Sequence, residues 1–170
     1  MEEAAAAYEK IVELDPNYGK AHYAVGVIYQ QKEDLPRAIE SFEKAISLEV
    51  DSFVPYNQLA WIYADQGENL DRALLLAQKA NDMKPDSAPV LDTLGWVYYK
   101  VKNYDKAVEN LRKASSLVPD NPVIHYHLGM AFYRKGLKEK ALSELKTSLA
   151  SPDDFAGKEE AKTIVTHLGG

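Results

Sequence analysis

The chain has 170 residues, and none of them is cysteine. That absence removes disulfides, thiolate metal sites and cysteine nucleophiles. Long apolar runs are missing too. No stretch approaches the roughly 18 to 20 residues that a helix needs to span a bilayer, so no direct membrane insertion by this segment is expected. Positive charge is scarce: 20 Lys and Arg stand against 26 Asp and Glu, a net charge of −6. Duplex binding needs a clustered Lys/Arg surface, so no nucleic-acid partner is expected. The HExxH, GxSxG, phosphate-loop and GxGxxG motifs are all absent. The expected protein is therefore not an enzyme and holds no cofactor and no metal. The N-terminus carries Glu2 and Glu3 where a secretory signal would be basic. What remains, 46% hydrophobic and 27% charged residues, is the composition of an ordinary folded chain.

Against those absences stands a period. Ala4, Ala38, Ala73, Ala107 and Ala141 follow one another at steps of 34, 35, 34 and 34. Gly26, Ala60, Gly95 and Gly129 step by 34, 35 and 34, and Pro16, Pro85 and Pro119 fall in the same frame. A period near 34 is that of a stacked two-helix repeat, in which each unit packs only on its neighbours.

The segment Ala88–Asn121 shows one unit most clearly. Ser87 is placed to cap its first helix, and Pro89 sits in the first turn, where a missing N–H costs nothing. Leu91, Leu94, Trp96, Val97 and Tyr98 put apolar surface on more than one side, as a helix between two neighbours requires. Val101 to Asn103 breaks the pattern. A second helix then carries Tyr104, Ala107, Val108, Leu111, Ala114 and Leu117, and Pro119 ends it. So short a connection makes an antiparallel hairpin. Gly95 and Ala107 are expected to face each other across it, with Tyr98 and Leu111 beside them. The same set recurs as Gly26, Tyr29, Ala38 and Phe42, as Ala60, Tyr63, Ala73 and Ala77, and as Gly129, Phe132, Ala141 and Leu145.

This pattern resembles the tetratricopeptide repeat, which has a large residue, Leu-Gly, Tyr, Ala, an aromatic, Ala and Pro in order. Leu91, Leu94-Gly95, Tyr98, Tyr104, Ala107, Leu111, Ala114 and Pro119 match it position by position. Departures are local: Val50 and Asp153 replace Pro, Ala60 replaces Gly, and Ser148 replaces the third Ala. The resemblance implies an all-α fold, a right-handed α-solenoid of antiparallel helix hairpins with a C-terminal capping helix. The expected organisation is a single array. Residues 2–18 hold the second helix of a truncated repeat. Repeats follow at 19–52, 53–87, 88–121 and 122–153, and a capping helix at 154–168, capped by Asp153 or Asp154. Because the array starts in mid-repeat, the segment reads as a piece of a larger protein with an added Met1. The runs Leu91–Tyr99 and His125–Met130 are similar to long repeat proteins of bacterial envelope and exopolysaccharide systems. Localisation stays unassigned between cytoplasm and envelope.

The resemblance also implies where a partner sits, since in this family the first helix of each repeat lines the concave side. Carried over by frame, the protein-binding groove is Tyr23, Asn57, Trp61, Asp92, Trp96, Tyr99, Tyr126, Met130, Tyr133 and Arg134. Trp and Tyr anchor interfaces because they offer large rigid area with a polar tip. Trp61 and Trp96 share one repeat position, and packing between repeats explains them equally well. The Lys and Asn ladder of the chaperone-tail binders is missing: Tyr23, Val27, Gln58, Pro89 or Val123, and Thr93 or His127 stand there instead. The expected function is a non-catalytic scaffold that takes a peptide or helix of a partner protein in this aromatic groove. A second reading is self-association into a homo-oligomer through the first helix, whose open face includes Ala5, Tyr8 and Val12. His22 and His125 share a repeat position and read as packing residues. The charges from Lys135 to Lys140 read as a solvated face.

Overall fold

The computed structural model describes residues 2–49 and 51–169, with side chains from residue 6 onward. Expectations for Met1, for the side chains of Ala4 and Ala5, and for Val50 lie outside the described residues. Among these residues there are ten α-helices and no strand. They are α1 (Glu2–Leu14), α2 (Gly19–Gln31), α3 (Leu35–Ser47), α4 (Val54–Gln66), α5 (Leu70–Met83), α6 (Ala88–Lys100), α7 (Tyr104–Leu117), α8 (Pro122–Arg134), α9 (Lys138–Leu149) and α10 (Lys158–His167). The helix pairs α2–α3, α4–α5, α6–α7 and α8–α9 pack as hairpins. The chain forms two compact units, residues 1–83 and 84–170.

Each hairpin turns by the same device. The aromatic three residues after the small residue offers its carbonyl to a backbone N–H five residues on. Asp34 N–H donates to Tyr29 O at 2.9 Å, Glu68 to Tyr63 at 3.0 Å, Asn103 to Tyr98 at 2.9 Å and Leu137 to Phe132 at 3.0 Å. This long-range closing bond needs a left-handed residue just before its donor. Glu33 (φ 60°), Gly67 (73°), Lys102 (63°) and Gly136 (75°) supply it. The one-residue insertion in the α4–α5 turn adds a second left-handed residue, Asn69. Over the face of each aromatic lies the cation that precedes the next small alanine. Arg37 stands 4.3 Å from the Tyr29 centroid, Arg72 5.7 Å from Tyr63, Lys106 5.2 Å from Tyr98 and Lys140 5.8 Å from Phe132. Four cation–π contacts in one frame explain why the position before the alanine is basic in every hairpin.

The glycines set how closely the helices approach. A Cβ on Gly95 would lie 2.6 Å from Leu111 Cγ, one on Gly26 2.7 Å from the Phe42 ring, and one on Gly129 2.7 Å from Leu145 Cγ. The contact residue is thus the one four after the alanine, not Ala107 itself as the sequence reading has it. Side chains on a helix lean toward its N-terminus, so Leu111 covers the surface over the preceding turn. Ala38, Ala73, Ala107 and Ala141 are fully buried nonetheless.

Two capping expectations change. Ser87 occupies the N-cap of α6, but its side chain makes no capping bond. Helix α10 begins at Lys158 behind Gly157 (φ 95°), with no side-chain cap, so neither Asp153 nor Asp154 caps it. A residue other than glycine at 157 would drive its Cβ into the Tyr126 ring, which lies against this backbone. Asn121 caps α8, accepting from Val123 N–H at 2.9 Å and Ile124 N–H at 3.2 Å.

Candidate protein-interaction surface

The ten residues assigned to the groove divide by burial, and each unit is taken by itself. In residues 1–83, Tyr23 and Trp61 are half-buried and Asn57 is buried. Among the described residues the Asn57 Oδ1 has no hydrogen-bond partner. Helices α2 and α4 are tied across their facing sides by Gln58 Nε2 donating to Gln30 Oε1 at 3.0 Å.

In residues 84–170, Asp92, Trp96, Tyr126 and Met130 are buried, Tyr99 and Tyr133 are half-buried, and Arg134 is exposed. Trp96 is only 7% exposed. Its ring lies between Tyr99, stacked at 4.6 Å and 4°, and His127, at 4.2 Å and 24°. Tyr126 tilts against it at 6.1 Å. As free-standing groove contacts, Asn57, Asp92, Trp96, Tyr126 and Met130 are therefore corrected to interior positions. The cause in the second unit is the side-by-side packing of α6 and α8, which turns each helix's inner positions toward its neighbour. The exposed part of this face is Tyr99, Tyr133 and Arg134, over a floor of Trp96, His127 and Tyr126.

That floor is fixed by polar bonds the sequence reading missed. Asp92 Oδ1 and His127 Nδ1 lie 2.8 Å apart in the interior and join α6 to α8. The signal was a carboxylate inside the apolar run Leu91–Tyr98, matched 35 residues later by a histidine. A buried charge needs such a partner. The Tyr126 hydroxyl donates to Glu160 Oε2 at 2.6 Å, and Phe155 packs on its ring at 5.8 Å. His22 and His125 are repeat-packing residues. Their Nε2 atoms lie 2.9 and 2.7 Å from the Pro16 and Pro119 carbonyls, and His125 Nδ1 also meets Glu144 at 2.7 Å.

Burial, then the bond to Glu160, raises the Tyr126 phenol well above its usual range. Burial raises Tyr99 too, with Arg134 pulling the other way. The folded state therefore keeps protons that the unfolded chain releases above about pH 10. Stability contributed by these phenols is intact below that pH and falls as pH rises past it, by about 1.4 kcal/mol per pH unit for Tyr126. Denaturant unfolding on either side of pH 10 is expected to show the loss, and Tyr126→Phe to reduce its slope. An unchanged slope would mean that Tyr126 titrates normally in the fold.

A cleft of roughly 770 Å³ lies among α1, α2 and α3, lined by Glu9, His22, Tyr29, Arg37, Glu40 and Glu43 among others. Tyr29, Arg37 and Glu43 are committed to structure. Tyr29 donates to Glu9, and Glu43 accepts from Tyr63 at 3.0 Å and pairs with Arg72 at 2.7 Å. Among the described residues no helix is long and apolar enough to cross a membrane.

Two family models match the chain, one described as tetratricopeptide repeat over residues 2–51 and one as TPR repeat over residues 95–136. No curated protein matches it. Among solved structures, MamA is 29% identical with a TM-score of 0.72, covering 94% of this chain and 88% of that one. YrrB, titled a TPR protein with an unusual peptide-binding site, is 23% identical with a TM-score of 0.77, covering 99% and 82%. A thermophilic TPR protein of Thermus thermophilus is 21% identical with a TM-score of 0.73, covering 95% and 89%. The shared frame of small residues, the four helix hairpins among the described residues and these likenesses agree: the chain is an all-α solenoid and belongs to the tetratricopeptide repeat family.

Proposed function

We propose that this protein takes a peptide or helix of a partner protein on the face formed by α6 and α8, the first helices of the hairpins in its second unit. The family is in general a non-catalytic interaction module, and at that level the chain is a protein–protein interaction scaffold. YrrB, of the same fold, is described by its peptide-binding site. The observation that carries the finer reading is the pairing of half-buried Tyr99 and Tyr133 with exposed Arg134 over the rigid Trp96–His127–Asp92 floor. Aromatic and Arg side chains held in place lose little entropy on binding. Tyr23 and Trp61 supply the corresponding surface in the first unit.

The test is a pull-down from the source organism with the whole chain as bait and Tyr99→Ala/Tyr133→Ala as control, both shown folded by circular dichroism. A protein held by the parent and lost by the variant supports the reading. Equal capture by both contradicts it.

A second reading, self-association, rests on α1. By repeat frame its Tyr8 and Ile11 correspond to Phe42 and Ala45, which are fully buried, yet they are 38% and 36% exposed, and Leu14 is 76% exposed. Like-to-like contact of such a stripe closes as a dimer. A concentration-dependent mass in sedimentation, abolished by Leu14→Lys, would favour it.

A further inference from the structure

The hairpin turns of the second unit carry a charge pattern that neither the family nor the aromatic face accounts for. Residues 100–106 and 134–140 hold seven Lys and Arg against Asp105 and Glu139. The equivalent turns of the first unit, residues 31–37 and 65–72, hold three against five. A chain of net charge −6 thus concentrates cations on one edge. The two basic turns lie side by side: Lys135 pairs with Asp105, and Arg134 stands 5.5 Å over the Tyr104 ring.

Some of these cations are structural. Lys106 and Lys140 cover Tyr98 and Phe132 as the other hairpins require. Lys102 and Lys138 are different. Both are exposed, and among the described residues neither makes an ion pair. Lys102 adopts φ 63° at a turn position where Gly67 and Gly136 stand in two of the other hairpins. A left-handed lysine is disfavoured there and a glycine is not. Lys138 is the first residue of α9, where the helix dipole disfavours a cation. Each breaks a local rule, and each adds positive charge to the same edge. Residues that break local rules without a packing return are those expected at functional positions.

We propose that this edge is a docking surface for an acidic, extended segment of a partner protein. An extended chain advances about 3.3 Å per residue. Packed helices lie about 8–10 Å apart. Carboxylates about three residues apart therefore meet successive turns, which suits a discrete acidic strand. The edge lies outside the groove residues apart from Arg134, so it does not rest on the aromatic-face reading.

The test measures anisotropy of a fluorescein-labelled peptide of repeated Glu-Glu-Ser against the whole chain and its Lys102→Gly/Lys138→Glu variant. The expected results are binding that weakens with added salt and about tenfold weaker binding by the variant, the size expected for losing exposed charge pairs. The variant's melting temperature is expected at or above the parent's, because both changes relieve a local cost. Lys138→Gln alone, at an exposed position, gives a smaller loss of the same sign should the double variant fold poorly. Unchanged peptide affinity in both variants overturns the proposal. So does binding to phosphatidylserine vesicles without binding to the peptide. So does a self-associated parent that the variant makes monomeric, since the occupant is then a second copy.

Discussion

Replacing Trp96 with alanine is expected to cost about 3–5 kcal/mol of stability, the range for truncating a large buried aromatic. The ring is 7% exposed and stacks on both Tyr99 and His127. Its loss opens a cavity at the point where α6 meets α8, and Asp92 and His127 lose the packing that aligns them. Native stability is commonly about 5–15 kcal/mol, so this one change removes a large share of it. Chemical denaturation would show a lower midpoint, and Trp96→Phe a smaller drop. A midpoint equal to the parent's would mean that the ring is not interior. The consequence for function is direct. A binding defect in Trp96→Ala reports unfolding as readily as a lost contact. Tyr99→Ala and Tyr133→Ala are the cleaner probes, because both side chains keep an exposed edge.

Gly95→Leu is expected to be as damaging, at about 3 kcal/mol, the upper part of the overpacking range. A bare Cβ at this position already comes within 2.6 Å of Leu111 Cγ and 3.3 Å of the Leu111 backbone nitrogen. The side chain can rotate away, but the backbone can yield only by separating α6 from α7. Gly95→Ala is expected to lose less, because alanine's helix propensity returns about 1 kcal/mol. Leu111→Ala in that background should then recover part of the loss, although Leu111→Ala alone destabilises. The double-mutant cycle reads the contact itself. Additive effects would mean that Gly95 and Leu111 do not meet.

The architecture was legible in the sequence because close-packed hairpins force small residues into a fixed period. Gly26, Ala60, Gly95 and Gly129 recur because they stand where the second helix comes nearest. The turn chemistry was only half legible. Gly67 and Gly136 announce a left-handed residue, while Glu33 and Lys102 occupy the same conformation unannounced. The cation before each small alanine was visible as Arg37, Arg72, Lys106 and Lys140, but its aromatic partner lies eight or nine residues earlier, across the turn. Burial of the inner-face residues was the least legible. Asp92 and Tyr99 sit on one helix two turns apart, and only the placement of α8 decides that Asp92 is buried and Tyr99 is not. The start of α10 was missed because Asp153 and Asp154 look like caps, whereas Tyr126 holds the chain at Gly157.

The central claim is that a partner contacts the first-helix face. Its most direct test replaces single residues with the photo-crosslinking amino acid p-benzoylphenylalanine, at Tyr133 on that face and at the exposed Lys113 of α7. Both proteins are irradiated in the source organism's lysate. The account predicts a discrete crosslinked partner from position 133 and none from position 113. The same partner crosslinked from position 113 and not from 133 would contradict it.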